Sequence, residues 1–210
     1  MELFLKGGLL IWPILACSIV GTAIFFERLL LFRAAAKIPR KAIRLICELV
    51  REGNFAAARE SLSLGKTKKF SRLNGPERLM LEGLSVESED RQTLEMVLLH
   101  AVERETKRFS RYLGLLATLA NIAPLLGLLG TVVGMIKAFK VVEAMGGRVN
   151  ASVLAGGIWE AMLTTALGLI VAIPLILFHN YLENRLLDFR AVLEEVAVSY
   201  VKAWSAAPKG

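Results

Sequence analysis

One carboxylate and three threonines are the side chains of this sequence whose types and positions could handle ions inside a membrane. Glu160 opens an apolar stretch, and Thr164 and Thr165 follow it by about one helical turn, while Thr131 lies in an earlier apolar stretch. A carboxylate is costly at the centre of a bilayer, and a threonine hydroxyl can both donate and accept hydrogen bonds. These residues predict an ion-handling site. A polar helix end at Glu160, and threonines bonded to carbonyls of their own helix, are the simpler alternatives.

The elements that must position these residues are apolar and long. Hydrophobic residues make up 55% of the 210 residues and the mean hydropathy is +0.53, which is too apolar for an ordinary soluble domain. Three runs without a formal charge, 7–26, 112–136 and 161–182, each reach the roughly 20 residues that a spanning helix needs. The first run lacks a small-x-small cleavage site and predicts a retained anchor. We therefore expect an all-α polytopic membrane protein with three transmembrane helices.

The distribution of charge predicts the orientation. The formal net charge is +7, and 18 Lys/Arg against 12 Asp/Glu lie between Glu27 and Arg111. Basic residues favour the cytoplasmic side, so this large loop and the C-terminus are expected inside, with the N-terminus and the short second loop outside. The positive charge is thereby explained without nucleic acid. The two cysteines, Cys17 in the first run and Cys47 in the loop, do not suggest a disulfide framework.

Two of the three spans are predicted to continue as helices into the cytoplasm. Apolar residues from Leu94 to Phe109 recur at helical spacing with no breaker before the second run, which predicts one helix from about Arg91 to Ala138. A matching stripe follows the third span, so the two extensions should pack antiparallel in a cytoplasmic bundle. Its members are Leu186, Phe189, Leu193, Val196, Tyr200 and Trp204. The predicted regions are 1–26 (outer N-terminus and first span), 27–111 (cytoplasmic loop), 112–136 (second span), 137–150 (outer loop), 151–182 (third span) and 183–210 (cytoplasmic C-terminal helix).

Shorter helices are predicted within the cytoplasmic loop. Pro39 can open one helix and Gly53 can end it, after which Asn54 can cap the next. Pro76 can begin a further helix that runs to about Leu84.

Small residues predict close contact between the second and third spans. Gly127, Gly130 and Gly134 share one face of the second span. On the third span, small residues also share one face at 100° per residue, which lets another helix approach closely. These residues are Ala161, Thr165, Gly168 and Ala172.

Two paired motifs resemble the ExbB/TolQ/MotA proton-channel family. They are APLLGLLGTVVGMIKAF in the second span and EAMLTTALGLIVAIPLILFHNY in the third. IWPILACSIVGTAIFFERLLLF and REGNFAAARESL are similar to the ExbB/TolQ branch, as is the presence of three spans around a single large inner loop.

The resemblance implies a role for each site residue. Thr131 and Thr165 stand at the family's two span threonines, which face an aspartate of a partner, and Glu160 stands at its third-span glutamate. Thr164 occupies a position where the family more often has alanine, which leaves open which of the two adjacent hydroxyls faces the pore. Pro124 and Pro174 match prolines of the same motifs.

The resemblance also implies an assembly and a location. Such chains form a ring, commonly a pentamer, around a single-span partner of the ExbD/TolR type in the bacterial inner membrane. Proton flow past the partner's aspartate drives work that is passed to a TonB/TolA-like protein. Protons are the coupling ion and no cofactor is implied.

Other functions are less well supported by the residues. A passive ion channel that uses Glu160 as a filter charge needs no partner, and a non-conducting membrane scaffold needs only the basic loop. An intramembrane enzyme is not expected, because the spans hold neither metal-ligand spacing nor a nucleophile beside a base. The residues do not distinguish the system that is energised, which is TonB-dependent uptake, Tol-Pal maintenance or motility. They also do not distinguish protons from sodium ions as the coupling ion.

Overall fold

The computed structural model describes residues 10–35, 40–64, 75–86, 90–144 and 151–208, and these residues are helical with short turns between them. Their seven helices are α1 (Ile11–Ala35), α2 (Arg40–Arg51), α3 (Phe55–Leu64), α4 (Gly75–Ser85), α5 (Arg91–Ser110), α6 (Leu113–Ala144) and α7 (Ala151–Ser205). Stretches within α1, α6 and α7 are long and apolar enough to cross a membrane. The chain is an all-α, multi-pass membrane protein, as its composition predicts.

The chain divides into two compact units. Unit 1 contains residues 1–28 and 112–182, and unit 2 contains residues 29–111 and 183–210. Each unit is stabilised by its own packing.

In unit 1, α1 lies against α7. A Cβ atom built at Gly21 would lie 3.0 Å from Cδ1 of Leu175, and the rings of Phe25 and Phe178 stack with centroids 3.9 Å apart. Both residue numbers increase together along the contact, so α1 runs parallel to α7. This direction is the one required of the first and third crossings of a three-span chain.

Unit 2 is a bundle of amphipathic helices with large side chains at its centre. Leu193 and Tyr200 of α7 are fully buried. Tyr200 lies against Gly83 of α4, and Phe189 lies against Gly75 at the start of the same helix, so α4 runs parallel to this part of α7.

Ion pairs join α4 to the antiparallel helix α5. Arg78 is paired with Glu105, with 3.7 Å between their nearest nitrogen and oxygen, and Glu82 is paired with Arg104. Since α4 is parallel to the end of α7, α5 is antiparallel to it, as the matching apolar stripes predict.

Local signals position the short helices. Gly53 ends α2 with a φ of 77°, a left-handed conformation that favours glycine. Asn54 then caps α3, because its Oδ1 atom accepts a hydrogen bond of 3.1 Å from the backbone N–H of Ala57. Pro76 lies in the first turn of α4, as predicted. The predicted break at Pro39 lies outside the described residues.

The prediction of one continuous helix from Arg91 to Ala138 is wrong. The helix is interrupted at Arg111 and Tyr112, where Tyr112 has a φ of 68°. Such a conformation is strained for a side chain as large as tyrosine, and the surroundings must hold it. The guanidinium of the nearly buried Arg28 lies 5.0 Å from the centre of the Tyr112 ring, and the Tyr112 carbonyl accepts the first hydrogen bond of α6, from Leu116.

One helix boundary also differs from that expected, and another agrees with it. α6 continues to Ala144, so the first half of the outer loop predicted at 137–150 is helical. α7 continues through the third span to Ser205 as one helix of 55 residues, as expected for an extended third span.

Candidate functional site: the paired helices α6 and α7

The candidate site is built where α6 and α7 approach closely within unit 1. A Cβ atom built at Gly134 would lie 2.8 Å from Cβ of Ala161, and one built at Gly168 would lie 2.7 Å from the carbonyl oxygen of Ala123. Real Cβ atoms are not found so close to other atoms, so only glycine permits this separation. The two predicted small-residue faces therefore meet, as expected of close-packed membrane helices.

The contacts continue along both helices as an antiparallel ladder. Gly127 lies against Thr165, Gly130 against Thr164, Gly134 against Ala161, and Ala138 against Gly157. The last contact was not predicted, although Gly157 and Ala161 are spaced as small-xxx-small, as are Gly134 and Ala138. That spacing was the signal that could have revealed it.

The ladder sets the depths of the threonines. Gly130 and Thr164 lie at the same level, because they are in contact. Thr131 follows Gly130 and Thr165 follows Thr164, and since the helices are antiparallel, the two threonines are displaced by one residue each in opposite directions from that level. At 1.5 Å per residue, Thr131 and Thr165 differ in depth by only about 3 Å. α6 ends at Ala144 and α7 begins at Ala151, so Thr131 and Thr165 lie at similar distances from these two helix ends. The register is reached because α6 is longer than predicted.

Thr165 joins the two helices by a hydrogen bond. Its hydroxyl donates to the carbonyl oxygen of Gly127 on α6, with 2.8 Å between the oxygens. Gly127 is buried, and a Cβ atom there would lie only 3.0 Å from Cα of Thr165. The bond is short because glycine lets the two backbones approach.

Thr131 and Thr164 bond within their own helices. The Thr131 hydroxyl donates to the carbonyl of Leu128 at 2.7 Å, and the Thr164 hydroxyl donates to the carbonyl of Glu160 at 2.9 Å. A hydroxyl that donates in this way keeps its oxygen lone pairs, so each can still accept a hydrogen bond. Intrahelical bonding of this kind is common for threonine in membrane helices.

Thr164, rather than Thr165, is the threonine enclosed between the helices. Thr164 is 2% exposed and its side chain faces Gly130. The buried face of α7 thus contains Ala161, Thr164, Gly168 and Ala172, whereas the spacing of small residues predicts Thr165 on that face. Thr165 lies on its flank with intermediate exposure, and its hydroxyl still reaches α6.

Glu160 and the two prolines lie apart from this ladder. Glu160 has intermediate exposure and comes one turn before Thr164. Pro124 and Pro174 lie inside α6 and α7, and each lacks the N–H that would bond the carbonyl four residues earlier. Both helices continue through their prolines. Each proline therefore leaves a backbone acceptor without its helical donor, and that acceptor must be satisfied by other groups in the membrane.

The spans supply hydroxyls and one nearby acid but no chain of acids. The runs 112–136 and 161–182 hold no Asp, Glu, Lys or Arg. In the described residues, no three His, Cys, Asp or Glu side chains are grouped so that they could hold a metal ion. The arrangement can solvate a titrating group brought by another chain.

This chain is similar to known proteins over most of its length. Residues 71–195, more than half of the chain, match the MotA/TolQ/ExbB proton channel family. The biopolymer transport protein exbB1 of Vibrio cholerae is 31% identical over 94% of this chain and 84% of its own length. The biopolymer transport protein ExbB of Salmonella typhimurium is 31% identical over 88% of this chain and 75% of its own length. An ExbB-like protein of Synechocystis is 31% identical over 97% of this chain and 80% of its own length.

The family match covers α6 and the part of α7 that packs against it, so both halves of the ladder lie within the matched region. The chain belongs to the MotA/TolQ/ExbB proton channel family.

Proposed function

We propose that this chain is the channel-forming subunit of an inner-membrane motor driven by the proton-motive force. Several copies form a ring, most simply a pentamer, around a single-span partner of the ExbD/TolR type. The partner brings an aspartate into the ring, and its protonation and deprotonation are coupled to movement. The work is delivered to envelope machinery of the TonB or Tol-Pal type through a TonB/TolA-like protein.

The observation that carries the proposal is the presence of Thr131 and Thr165 at nearly the same depth in otherwise uncharged spans. A proton cannot cross hydrocarbon without a titratable group and polar partners. Threonine can donate to a carboxylate and accept from a carboxylic acid, so it can stabilise both protonation states of an aspartate. Since the runs 112–136 and 161–182 hold no acid and Glu160 lies just before the second of them, the main titrating group is supplied by the partner.

The exposed surface of the pair supports assembly into a ring. Leu125, Leu128 and Val132 of α6 are each at least half exposed in the single chain, as is Ile170 of α7. Such a surface suits lipid or further copies of the same helices. Glu160, one turn nearer the start of α7, is placed to influence the field at the entrance for protons.

The test removes hydroxyls while it keeps side-chain shape. Valine at positions 131 and 165 should allow expression and assembly, because threonine and valine have nearly the same volume, yet coupled activity should fall by at least tenfold. The assay is complementation of an uptake or envelope defect that depends on the proton gradient. Thr164→Val is the matched control and should act more mildly, since the Thr164 side chain is buried and its hydroxyl cannot face a partner in the ring as those of Thr131 and Thr165 can. Full activity of the double variant would refute the proposed proton path.

The proposed orientation places the N-terminus in the periplasm and the C-terminus in the cytoplasm. Its basis is the excess of basic residues between Glu27 and Arg111. Single cysteines introduced at Ala144 and Ser205 should therefore differ in their reaction with an impermeant maleimide added from the periplasmic side. Ala144→Cys should be labelled and Ser205→Cys should not, and the reverse pattern would overturn the orientation.

A further inference from the structure

A basic groove in unit 2 is not used by the proposed proton path. It has a volume of about 620 Å³ and lies between α2 and the end of α7. Charged and polar side chains line it, among them Arg44, Cys47, Glu48, Arg51, Ser199 and Lys202. Its volume is typical of a ligand-binding site, and its positive charge suits an anion.

Among the described residues, the cations of the groove have no partner of opposite charge. In the parts of the chain that the structure describes, Arg44, Arg51 and Lys202 form no ion pair, although Glu48 lies between the two arginines in sequence. Arg44 and Arg51 are seven residues apart, so they lie on one face of α2, separated by about 10 Å along its axis. Lys202 faces them from α7. A complementary ligand carries several negative charges spread over a similar length.

The exposure of the cations decides between a free small anion and a tethered segment. Arg44, Arg51 and Lys202 are all exposed, and one exposed ion pair strengthens binding by at most about fivefold. Three such pairs give roughly a hundredfold, which corresponds to a dissociation constant of about 10 mM for a free ligand. A segment tethered nearby reaches an effective concentration in the millimolar range, so the same weak contacts suffice for it.

We propose that this groove binds a short acidic segment of a protein subunit that is anchored in the same membrane complex. The inference rests on the proposed function for the existence of that subunit. Carboxylates of the segment pair with Arg44, Arg51 and Lys202, and the polar end of Ser199 can accept or donate further hydrogen bonds. The segment thereby holds the cytoplasmic part of its own subunit on unit 2.

The test uses Cys47 as a reporter, because its partly exposed thiol lines the groove. A Cys17→Ala substitution leaves Cys47 as the single cysteine of the full-length chain. Pro208 lies against Gly53, two residues after Arg51, so a tail added after Gly210 starts within reach of the groove. The tail is a Gly/Ser linker followed by six glutamates, and the control tail ends in six glutamines.

The measured quantity is the rate at which a neutral maleimide modifies Cys47 in detergent. Burial raises the pKa of the Cys47 thiol and the neighbouring Glu48 carboxylate adds to this effect, so the reaction is followed at pH 8.5. The glutamate tail should slow modification about twofold relative to the glutamine tail, and 500 mM salt should abolish the difference because it screens the ion pairs.

Matched variants identify the groove. Glutamine at Arg44, Arg51 and Lys202 should remove the protection. Glutamine at three exposed cations that do not line the groove should preserve it; these are Arg33, Lys41 and Lys107. Equal protection in both triple variants, or no protection in the native groove, would overturn the proposal.

Two further arms exclude other ligands of the groove. The chain without a tail is placed in nanodiscs of phosphatidylglycerol or phosphatidylcholine, or receives 1 mM inorganic phosphate. Protection of Cys47 by phosphatidylglycerol or by phosphate would show that the groove binds a lipid headgroup or a free phosphate, and would overturn the proposal. None of these measurements depends on proton coupling, so a failure here is distinct from a failure of the proposed function.

Discussion

Glycine serves opposite purposes in the α6–α7 pair of unit 1 and in the helix bundle of unit 2. In unit 1, Gly130 and Gly134 allow the backbones of α6 and α7 to approach, and small side chains face them from the other helix. In unit 2, Gly83 instead makes room for a large ring, since a Cβ atom there would lie 2.7 Å from Cε1 of Tyr200. The same residue type thus removes side-chain volume from one contact and accommodates it in the other.

The difference follows from the solvent that each contact must replace. Lipid chains are as apolar as leucine, so burying a large side chain between membrane helices gains little, and close backbone packing stabilises the pair instead. In water, a buried aromatic ring removes 150–250 Å² from solvent at roughly 25 cal/mol per Å². Tyr200 and Phe189 are accordingly buried in unit 2, whereas Ala161 and Thr164 fill the corresponding positions in unit 1.

The largest expected effect comes from filling the backbone contact of unit 1. Leucine at Gly130 would collide with the side chain of Thr164, which is itself buried. We expect a loss of more than ~3 kcal/mol of packing free energy and, if the proposed ring exists, its disappearance. The measurement is native mass spectrometry of the detergent-solubilised protein.

The matched control for this prediction lies on the same helix. A Cβ atom at Gly114 would have no atom within 4 Å, so Gly114→Leu should leave the oligomer intact. Survival of the oligomer in Gly130→Leu would show that backbone proximity does not stabilise the pair.

Substitution of Tyr200 tests the other side of the comparison. Tyr200→Ala should destabilise unit 2 by about 3–5 kcal/mol, because it leaves a cavity opposite Gly83. Tyr200→Phe should instead be neutral or stabilise by up to about 1 kcal/mol. The Tyr200 hydroxyl is buried without a hydrogen-bond partner among the described residues, and its removal avoids the cost of desolvating it.

Urea unfolding measures both changes. Trp204 reports on unit 2 when Trp12 and Trp159, which belong to unit 1, are replaced by phenylalanine. Marked destabilisation by Tyr200→Phe would mean that the hydroxyl has a hydrogen-bond partner in the folded chain.

The sequence predicted the membrane helix pair well because its signal is local. Gly127, Gly130 and Gly134 recur at helical spacing on α6, and the small residues Ala161, Gly168 and Ala172 do the same on α7. Helical period alone places each set on one face. The register between the two helices depends on where α6 ends and where α7 begins. Lys137 and Lys140 end the uncharged run of the sequence although α6 continues past them, so the apolar pattern does not define this helix end.

The features that the sequence analysis missed depend on contacts between distant residues. Tyr112 breaks a helix without glycine or proline, and what accompanies its conformation is Arg28, which lies 84 residues earlier. The choice between Thr164 and Thr165 rests on a rotation of only 100° about α7, which small-residue spacing leaves ambiguous. The basic groove requires α2 and the end of α7 to be adjacent, and neither helix predicts the other.

The smallest expected effect concerns the N-terminal end of α5, which is defined by polar groups rather than by packing. The Thr93 hydroxyl donates to the Asp90 carboxylate at 2.8 Å, and the backbone N–H groups of Gln92 and Thr93 also donate to it. These bonds hold the pKa of Asp90 below its ordinary value, with the Thr93 hydroxyl as the largest cause. A lowered pKa in the folded chain means that the stabilisation is present above the unfolded pKa, and is lost as the pH falls through the folded value.

Amide hydrogen exchange at Leu94, whose N–H bonds to the Asp90 carbonyl at 3.2 Å, reports on this first turn. At neutral pH, Asp90→Ala should speed exchange several-fold, whereas Asp90→Asn should change it little because asparagine also caps helices. As the pH is lowered below about 4, exchange in the native chain should rise relative to Asp90→Asn, in which no carboxylate is protonated. If the ratio of the Leu94 exchange rates in these two chains stays constant over the acid range, then the stabilisation of the first turn of α5 does not depend on the charge of Asp90.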